Sequence, residues 1–162
     1  MSDSSTERGA AAEAEADQRV VVGIDGSPGS LAALQWAAEA ARHRGVPLHV
    51  LFAWDDLGTH LAKTTRENKK PTEEEEREAA LTLIEKAVRE ALGAEPGVEI
   101  VPCPERGEPT PALLEASKTA DLLVVGSRGR GGFAGLLLGS VSQHCIQHAH
   151  CPVAVIRHQA AD

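Results

Sequence analysis

Apolar residues in this chain follow two alternating rhythms. The first is a set of short, unbroken apolar runs: Val20-Val21-Val22-Gly23-Ile24-Asp25, Leu48-His49-Val50-Leu51-Phe52-Ala53-Trp54, Val98-Glu99-Ile100-Val101, Leu122-Leu123-Val124-Val125 and Pro152-Val153-Ala154-Val155-Ile156. Runs rich in β-branched residues and without polar alternation predict parallel strands covered on both faces. The second rhythm is helical. Leu31, Leu34, Ala38 and Ala41 recur on one face after the capping residue Ser27 and after Pro28, which suits a first helical position, and Gly45 is placed to stop that helix. Leu81, Ile84, Val88 and Leu92 line a second helix, opened by the capping-box pair Thr72 and Glu75. A third helix runs from Thr110 and Pro111 to about Lys118, and a fourth from Ser140 to His148.

The order β-α-β-α-β-α-β-α-β predicts an α/β fold: a single open five-stranded parallel sheet with helices on both faces, wound right-handed. Ligands of such sheets bind at the carboxyl ends of the strands, where the winding reverses. Two strand ends are rich in glycine, Gly23-Ile24-Asp25-Gly26 after strand one and Gly126 to Gly139 after strand four. If both flank the reversal, the sheet order is 3-2-1-4-5. Residues 19–158 form one domain in this reading. Residues 1–18 are a solvated acidic tail, the polar stretch 55–71 is a surface loop and 159–162 is a short C-terminal tail.

The chain has 162 residues and a net charge of −8, concentrated in the first 17 residues and in the run Glu73–Glu76. That run sits where a helix dipole favours acids, so it reads as a solvated helix start. Residues 122–161 contain no Asp or Glu, yet they hold Arg128, Arg130, Arg157 and four histidines. One locally positive segment in an acidic chain suits a small anionic ligand. It argues against nucleic acid, which calls for a broad basic face and stacking aromatics, whereas this chain has two Phe, two Trp and no Tyr. No apolar stretch approaches the roughly 18 residues of a membrane span, and no export pattern is evident, so a cytoplasmic protein is expected.

The second glycine-rich segment carries the chemistry. Gly126-Ser127-Arg128-Gly129-Arg130-Gly131-Gly132 leads through Phe133 to Leu138 into Gly139-Ser140. Glycines allow close backbone approach and positive φ. Ser140 opens a helix whose free N–H groups attract anions, and the two arginines add charge-assisted donors. Together these features describe a phosphate cradle, the plain alternative being a flexible glycine loop. It is neither a P-loop, since no GxxxxGK[ST] occurs, nor a dinucleotide fingerprint, since the helix starts several residues too late.

Other constellations are weaker. His144, Cys145, His148, His150 and Cys151 lie close in sequence and raise the question of zinc. They span a helix end and a strand entry, where histidine is favoured by the dipole alone. Three cysteines without a CxxC pair do not make a disulfide framework. Cys103 reads as an inert thiol, and Trp36 and Trp54 as packing residues or the edge of a pocket.

The spacing Gly126-x2-Gly129-x9-Gly139-Ser140 resembles the ATP-binding motif of the universal stress protein family. The opening Val-Val-Val-Gly-Ile-Asp-Gly-Ser and the closing Leu-Leu-Leu-Gly-Ser-Val-Ser to Cys-Pro-Val-Ala-Val-Ile-Arg resemble the ends of that family's domain. The resemblance spans about Arg19 to Arg157 and implies the same five-stranded, Rossmann-like sheet, of the adenine nucleotide alpha hydrolase-like type. It also implies that ATP is bound, with Mg2+ as a candidate companion ion, by a regulatory stress-response module with at most slow hydrolysis. Asp25, beside Gly23, matches the acid that contacts the nucleotide, and Ala53 the position that contacts adenine through its backbone. Gly126, Gly129, Gly139 and Ser140 match the ribose and phosphate motif, with Ser127, Arg128, Arg130, Val141 and Ser142 as contributing neighbours. An ATP-cleaving hydrolase or transferase on the same fold is the alternative, although no base to position water is evident. Strand five is a sheet edge in the 3-2-1-4-5 order, and an uncovered edge tends to pair. A homodimer through residues 152–157 is therefore expected, an arrangement that the resemblance also implies.

Overall fold

The computed structural model describes residues 18–55, 70–129 and 137–158. The expected N-terminal tail up to residue 17, positions 56–69 of the polar loop, the C-terminal tail 159–162 and Arg130 with its neighbours up to 136 lie outside the described residues. Each apolar run becomes a strand: β1 Val20–Ile24, β2 Leu48–Trp54, β3 Ile100–Arg106, β4 Leu122–Gly126 and β5 Val153–Ile156. Between them lie α1 Pro28–Arg44, α2 Glu73–Leu92, α3 Pro109–Ser117 and α4 Ser140–His148. All pairings are parallel, and the sheet order is β3-β2-β1-β4-β5, the order expected if both glycine-rich strand ends flank the reversal.

The strands are apolar on both sides because both sides are covered. Val20, Val22, Leu48, Val50 and Val124 pack with α1 and α2, while Val21, Leu51, Leu123 and Val125 pack with Leu113 of α3 and Cys145 of α4. Burying a Val or Leu side chain contributes about 1.5–3 kcal/mol, so the central strands anchor the fold and hold their carboxyl ends in place. Helix boundaries follow the local chemistry. Gly45 ends α1 in the left-handed region at φ 66°, its N–H bonding the last carbonyls. Thr72 and Glu75 form the reciprocal capping box, with Glu75 N–H donating to Thr72 Oγ1 at 3.2 Å and Thr72 N–H to Glu75 Oε2 at 2.8 Å.

The third strand departs from expectation. It starts later and extends through Pro102 and Pro104 to Arg106. Leu48 N–H donates to the Glu99 carbonyl and Gly107 N–H to the Trp54 carbonyl, so odd-numbered residues of β3 face β2. Both prolines occupy outward positions of this edge strand, where a missing N–H breaks no ladder bond. The opposite edge carries no such block. The Pro152 and Ile156 carbonyls accept from Leu123 and Ser127 of the β4 side, which turns the peptide groups of Val153 and Val155 outward. No helix among the described residues is long and apolar enough to cross a membrane.

Candidate functional site

A cavity of about 360 Å³ opens at the carboxyl ends of β1 and β4, where the winding reverses. Of the residues singled out above, Gly23, Asp25, Ala53, Gly126, Arg128, Gly129, Gly139, Ser140, Val141 and Ser142 line it. Ser127 is buried beside the cavity and is not part of its lining, and Arg130 lies outside the described residues.

Asp25 follows the last residue of β1 and is tied to the start of α1. Its Oδ1 accepts from Ser27 N–H at 2.9 Å, an Asx turn, and its own N–H donates to Ser30 Oγ at 3.3 Å. Ser27 Oγ caps α1 by accepting from Ser30 N–H at 3.2 Å, and the Ser30 hydroxyl donates to the Ser27 carbonyl at 2.9 Å. The carboxylate thus reaches the cavity in a fixed orientation, with Oδ2 turned toward Gly129. It is the single acidic side chain in the described lining.

The motif glycines serve different ends. None of Gly126, Gly129 and Gly139 has a positive φ, contrary to one reason offered for glycine there. Close approach is the operative one at two of them. A methyl on Gly126 would lie 3.1 Å from the carbonyl carbon and oxygen of Gly29, so β4 and the first turn of α1 meet backbone to backbone. A methyl on Gly129 would lie 2.5 Å from Asp25 Oδ2. At Gly139 the nearest atoms to such a methyl among the described residues are at 3.6 Å, an ordinary contact, so none of these residues demands glycine there. Gly23 is a packing position, since its missing side chain leaves room for Leu113, whose Cδ2 would meet a methyl at 2.9 Å.

The loop that returns from β4 is closed by short bonds. Gly139 N–H donates to the Ser127 carbonyl at 2.7 Å, and the buried Ser142 hydroxyl approaches the carbonyls of Ser127 at 3.1 Å and Gly139 at 2.9 Å. Ser142 therefore holds the loop to α4. Gly139 caps α4 without a side-chain hydrogen bond, and the start of this helix, Gly139 to Ser142, lines the cavity together with the exposed Arg128. Such an end favours an anion through both its N–H groups and its dipole.

Much of the remaining lining is apolar, with Leu51, Ala53, Pro109, Leu113, Val125 and Val141. One backbone group interrupts it. Trp54 turns its carbonyl toward β3, so Ala53 turns its own toward β1, one residue beyond Ile24 and Phe52, the last pair of that ladder. Sequence reasoning missed the contributions of Ser27, Ser30, Leu51, Leu113 and Gly29. The glycine in the first turn of α1, poor in helix propensity, was the available signal for the last of these.

Within the histidine and cysteine constellation, His144 contacts its own helix and Cys145 packs in the core. His144 Nδ1 lies 2.7 Å from the Ser140 carbonyl, one turn back. Cys145 is fully buried, and burial, with Cys151 nearby, pushes its thiol up to about 11. Cys103 lies 3.6 Å from His49 Nδ1; burial raises the thiol and lowers the imidazole, so both groups are neutral near pH 7.

Comparison with known proteins agrees with this architecture. The family model described as the universal stress protein family matches residues 17–157. A universal stress protein of Mycolicibacterium smegmatis is 42% identical over 138 residues, covering 85% of this chain and 45% of the relative. The chain thus spans a little under half the length of the curated relatives it matches. A universal stress protein solved in complex with cAMP aligns with a TM-score of 0.60 and 29% identity, over 86% of this chain and 95% of that one. A family member from Arabidopsis thaliana solved with AMP bound shares the fold, with a TM-score of 0.59 and 24% identity, over 88% of this chain and 93% of the other.

Proposed function

The chain belongs to the universal stress protein family, and from that premise we propose that its cavity binds an adenine nucleotide, ATP in the first instance, as a cytoplasmic regulatory module. The observation that carries the reading is the convergence of three complementary groups in one cavity: the Ala53 carbonyl in an apolar wall, the oriented Asp25 carboxylate, and the start of α4 without a side-chain cap. A purine ring fits against Leu51, Leu113 and Val125, where its exocyclic amino group donates to the Ala53 carbonyl. Ribose hydroxyls donate to Asp25. The phosphates meet the Gly129 and Gly139-Ser140 backbone, with Arg128 balancing their charge. Gly23, Gly126, Ser127, Val141 and Ser142 shape the surfaces on which these contacts are made. The ligand in the 29%-identical relative, a cyclic adenine nucleotide, is of the same class.

Mg2+ prefers several oxygen ligands in octahedral geometry. The described lining offers Asp25 alone as a carboxylate, so phosphate oxygens and water would complete the sphere of any ion that enters with the nucleotide. A single carboxylate already engaged by Ser27 N–H is also a poor base for activating water, which supports slow hydrolysis at most. The unblocked β5 edge, with the peptide groups of Val153 and Val155 turned outward and Ile146 exposed on the neighbouring α4, supports a homodimer through residues 152–157. The prolines on β3 disfavour the other edge.

Calorimetry with ATP on the wild type and on Gly139→Trp tests the reading. The backbone at residue 139 is ordinary, so the variant should fold, and its ring should displace phosphate and lower affinity by about tenfold or more, roughly 1.4 kcal/mol. Unchanged ATP affinity in the variant would refute the cradle. Rapid, sustained phosphate release by the wild type would favour the hydrolase alternative.

A further inference from the structure

Behind the cavity wall, on the other face of β2, lies a cluster that the site does not account for. Trp54 is 7% exposed and Glu76 5% exposed. The indole Nε1–H donates to Glu76 Oε2 at 3.3 Å, and Arg106 Nε lies 3.8 Å from the same oxygen. Arg106 also pairs with Glu73 at the exposed end of α2. A buried carboxylate is expensive to desolvate, and an apolar residue of similar size would fill the same space without that cost. What the cluster provides is geometry. It ties the last residue of β2 to the first turn of α2 and to the end of β3, and Gly107 N–H holds the Trp54 carbonyl at 2.7 Å.

Trp54 N–H and the Ala53 carbonyl belong to one rigid peptide plane. A side chain locked at residue 54, together with the β2–β3 ladder, therefore restrains the direction of the carbonyl at residue 53, which points the other way, toward the cavity. We infer that Trp54, Glu76 and Arg106 are positioning residues that aim the Ala53 carbonyl at the base and thereby set selection of adenine over guanine. The inference rests on the nucleotide reading above. Adenine presents an amino donor at C6, and guanine presents a carbonyl oxygen there, so a fixed acceptor pairs with the first and repels the second. That discrimination depends on aim, because a carbonyl free to swing aside gains less from adenine and loses less with guanine.

The test compares AMP and GMP affinities by calorimetry for the wild type, Trp54→Phe and Glu76→Gln, with melting temperatures recorded alongside. Trp54→Phe keeps an aromatic ring and removes the N–H. It should weaken AMP by about five- to tenfold, the size of one lost hydrogen bond, and leave GMP within about twofold. Glu76→Gln, which keeps an acceptor for the indole, should show a smaller loss of selectivity. Arg106→Gln loosens the cluster from the exposed end of β3 and gives the same readout if Trp54→Phe folds poorly. An AMP to GMP ratio unchanged in these variants, or a parallel loss of both nucleotides, overturns the inference, since either result reduces the cluster to a stabilising contact. A wild type that binds AMP no better than GMP refutes the adenine reading itself, and this inference with it.

Discussion

Alanine at position 129 should destabilise the protein, and Asp25 should be the reason. The methyl would sit 2.5 Å from Asp25 Oδ2. Restoring an ordinary contact requires the carboxylate to retreat by about 0.9 Å. Asp25 has little freedom to do so, because Oδ1 accepts from Ser27 N–H at 2.9 Å at the start of α1. A rigid retreat of that size stretches this bond to about 3.8 Å, beyond hydrogen-bond range. A hydrogen bond to a charged group is worth about 1.5–3 kcal/mol, against which glycine-to-alanine returns about 0.4–1 kcal/mol by restricting the unfolded chain. The expected net loss is about 1–2 kcal/mol, or roughly 2–8 °C in melting temperature at this size. Urea denaturation of Gly129→Ala, Asp25→Ala and the double variant measures it. Asp25→Ala alone should lose a similar amount, and in that background the methyl should become neutral or slightly stabilising. If Gly129→Ala is as stable as the wild type, or loses as much without Asp25 as with it, the steric argument is wrong.

Three further outcomes are expected. Val155 directs its N–H away from β4, so Val155→Pro breaks no ladder bond within the chain; light scattering should report dimers for the wild type and monomers for the variant, and a monomeric wild type at micromolar concentration refutes pairing through β5. Burial, reinforced by Arg19 and opposed by Glu99, lowers the His49 pKa. The unfolded chain therefore takes up a proton near pH 6.5, while the folded protein resists it, so stability should fall as pH drops through about 6.5 and level off below the folded value. His49→Gln should flatten that fall in urea midpoints measured between about pH 5 and 8, and an unchanged profile rejects the assignment. Cys145, with its thiol pushed up to about 11 by burial, should resist iodoacetamide in the native state while the half-buried Cys103 and Cys151 react first; equal labelling rates by peptide mass spectrometry contradict the packing described.

Much of the architecture was legible because it depends on local chemistry. Unbroken apolar runs specify strands covered on both faces, and Ser27, Gly45 and the Thr72/Glu75 pair mark helix ends through bonds made within a few residues. Strict alternation of strands and helices then leaves few sheet orders, and 3-2-1-4-5 is the one adopted. Proline concealed the extent of β3, because only the sheet reveals that positions 102 and 104 face outward. The glycine-rich segment announced itself in sequence, but the distinct reasons for its glycines did not. Gly126 is required by the backbone of Gly29, distant in sequence, and Gly129 by the carboxylate of Asp25, while Gly139 meets only ordinary contacts among the described residues. Likewise, no local pattern indicated that Trp54 and Glu76 would meet, or that their contact would hold the peptide presenting the Ala53 carbonyl. Propensity, capping and periodicity are properties of neighbours along the chain, and the sequence by itself determined what rests on them. Close approach and buried hydrogen bonding arise between segments brought together from far apart, so the tertiary structure alone decided which residue answers which.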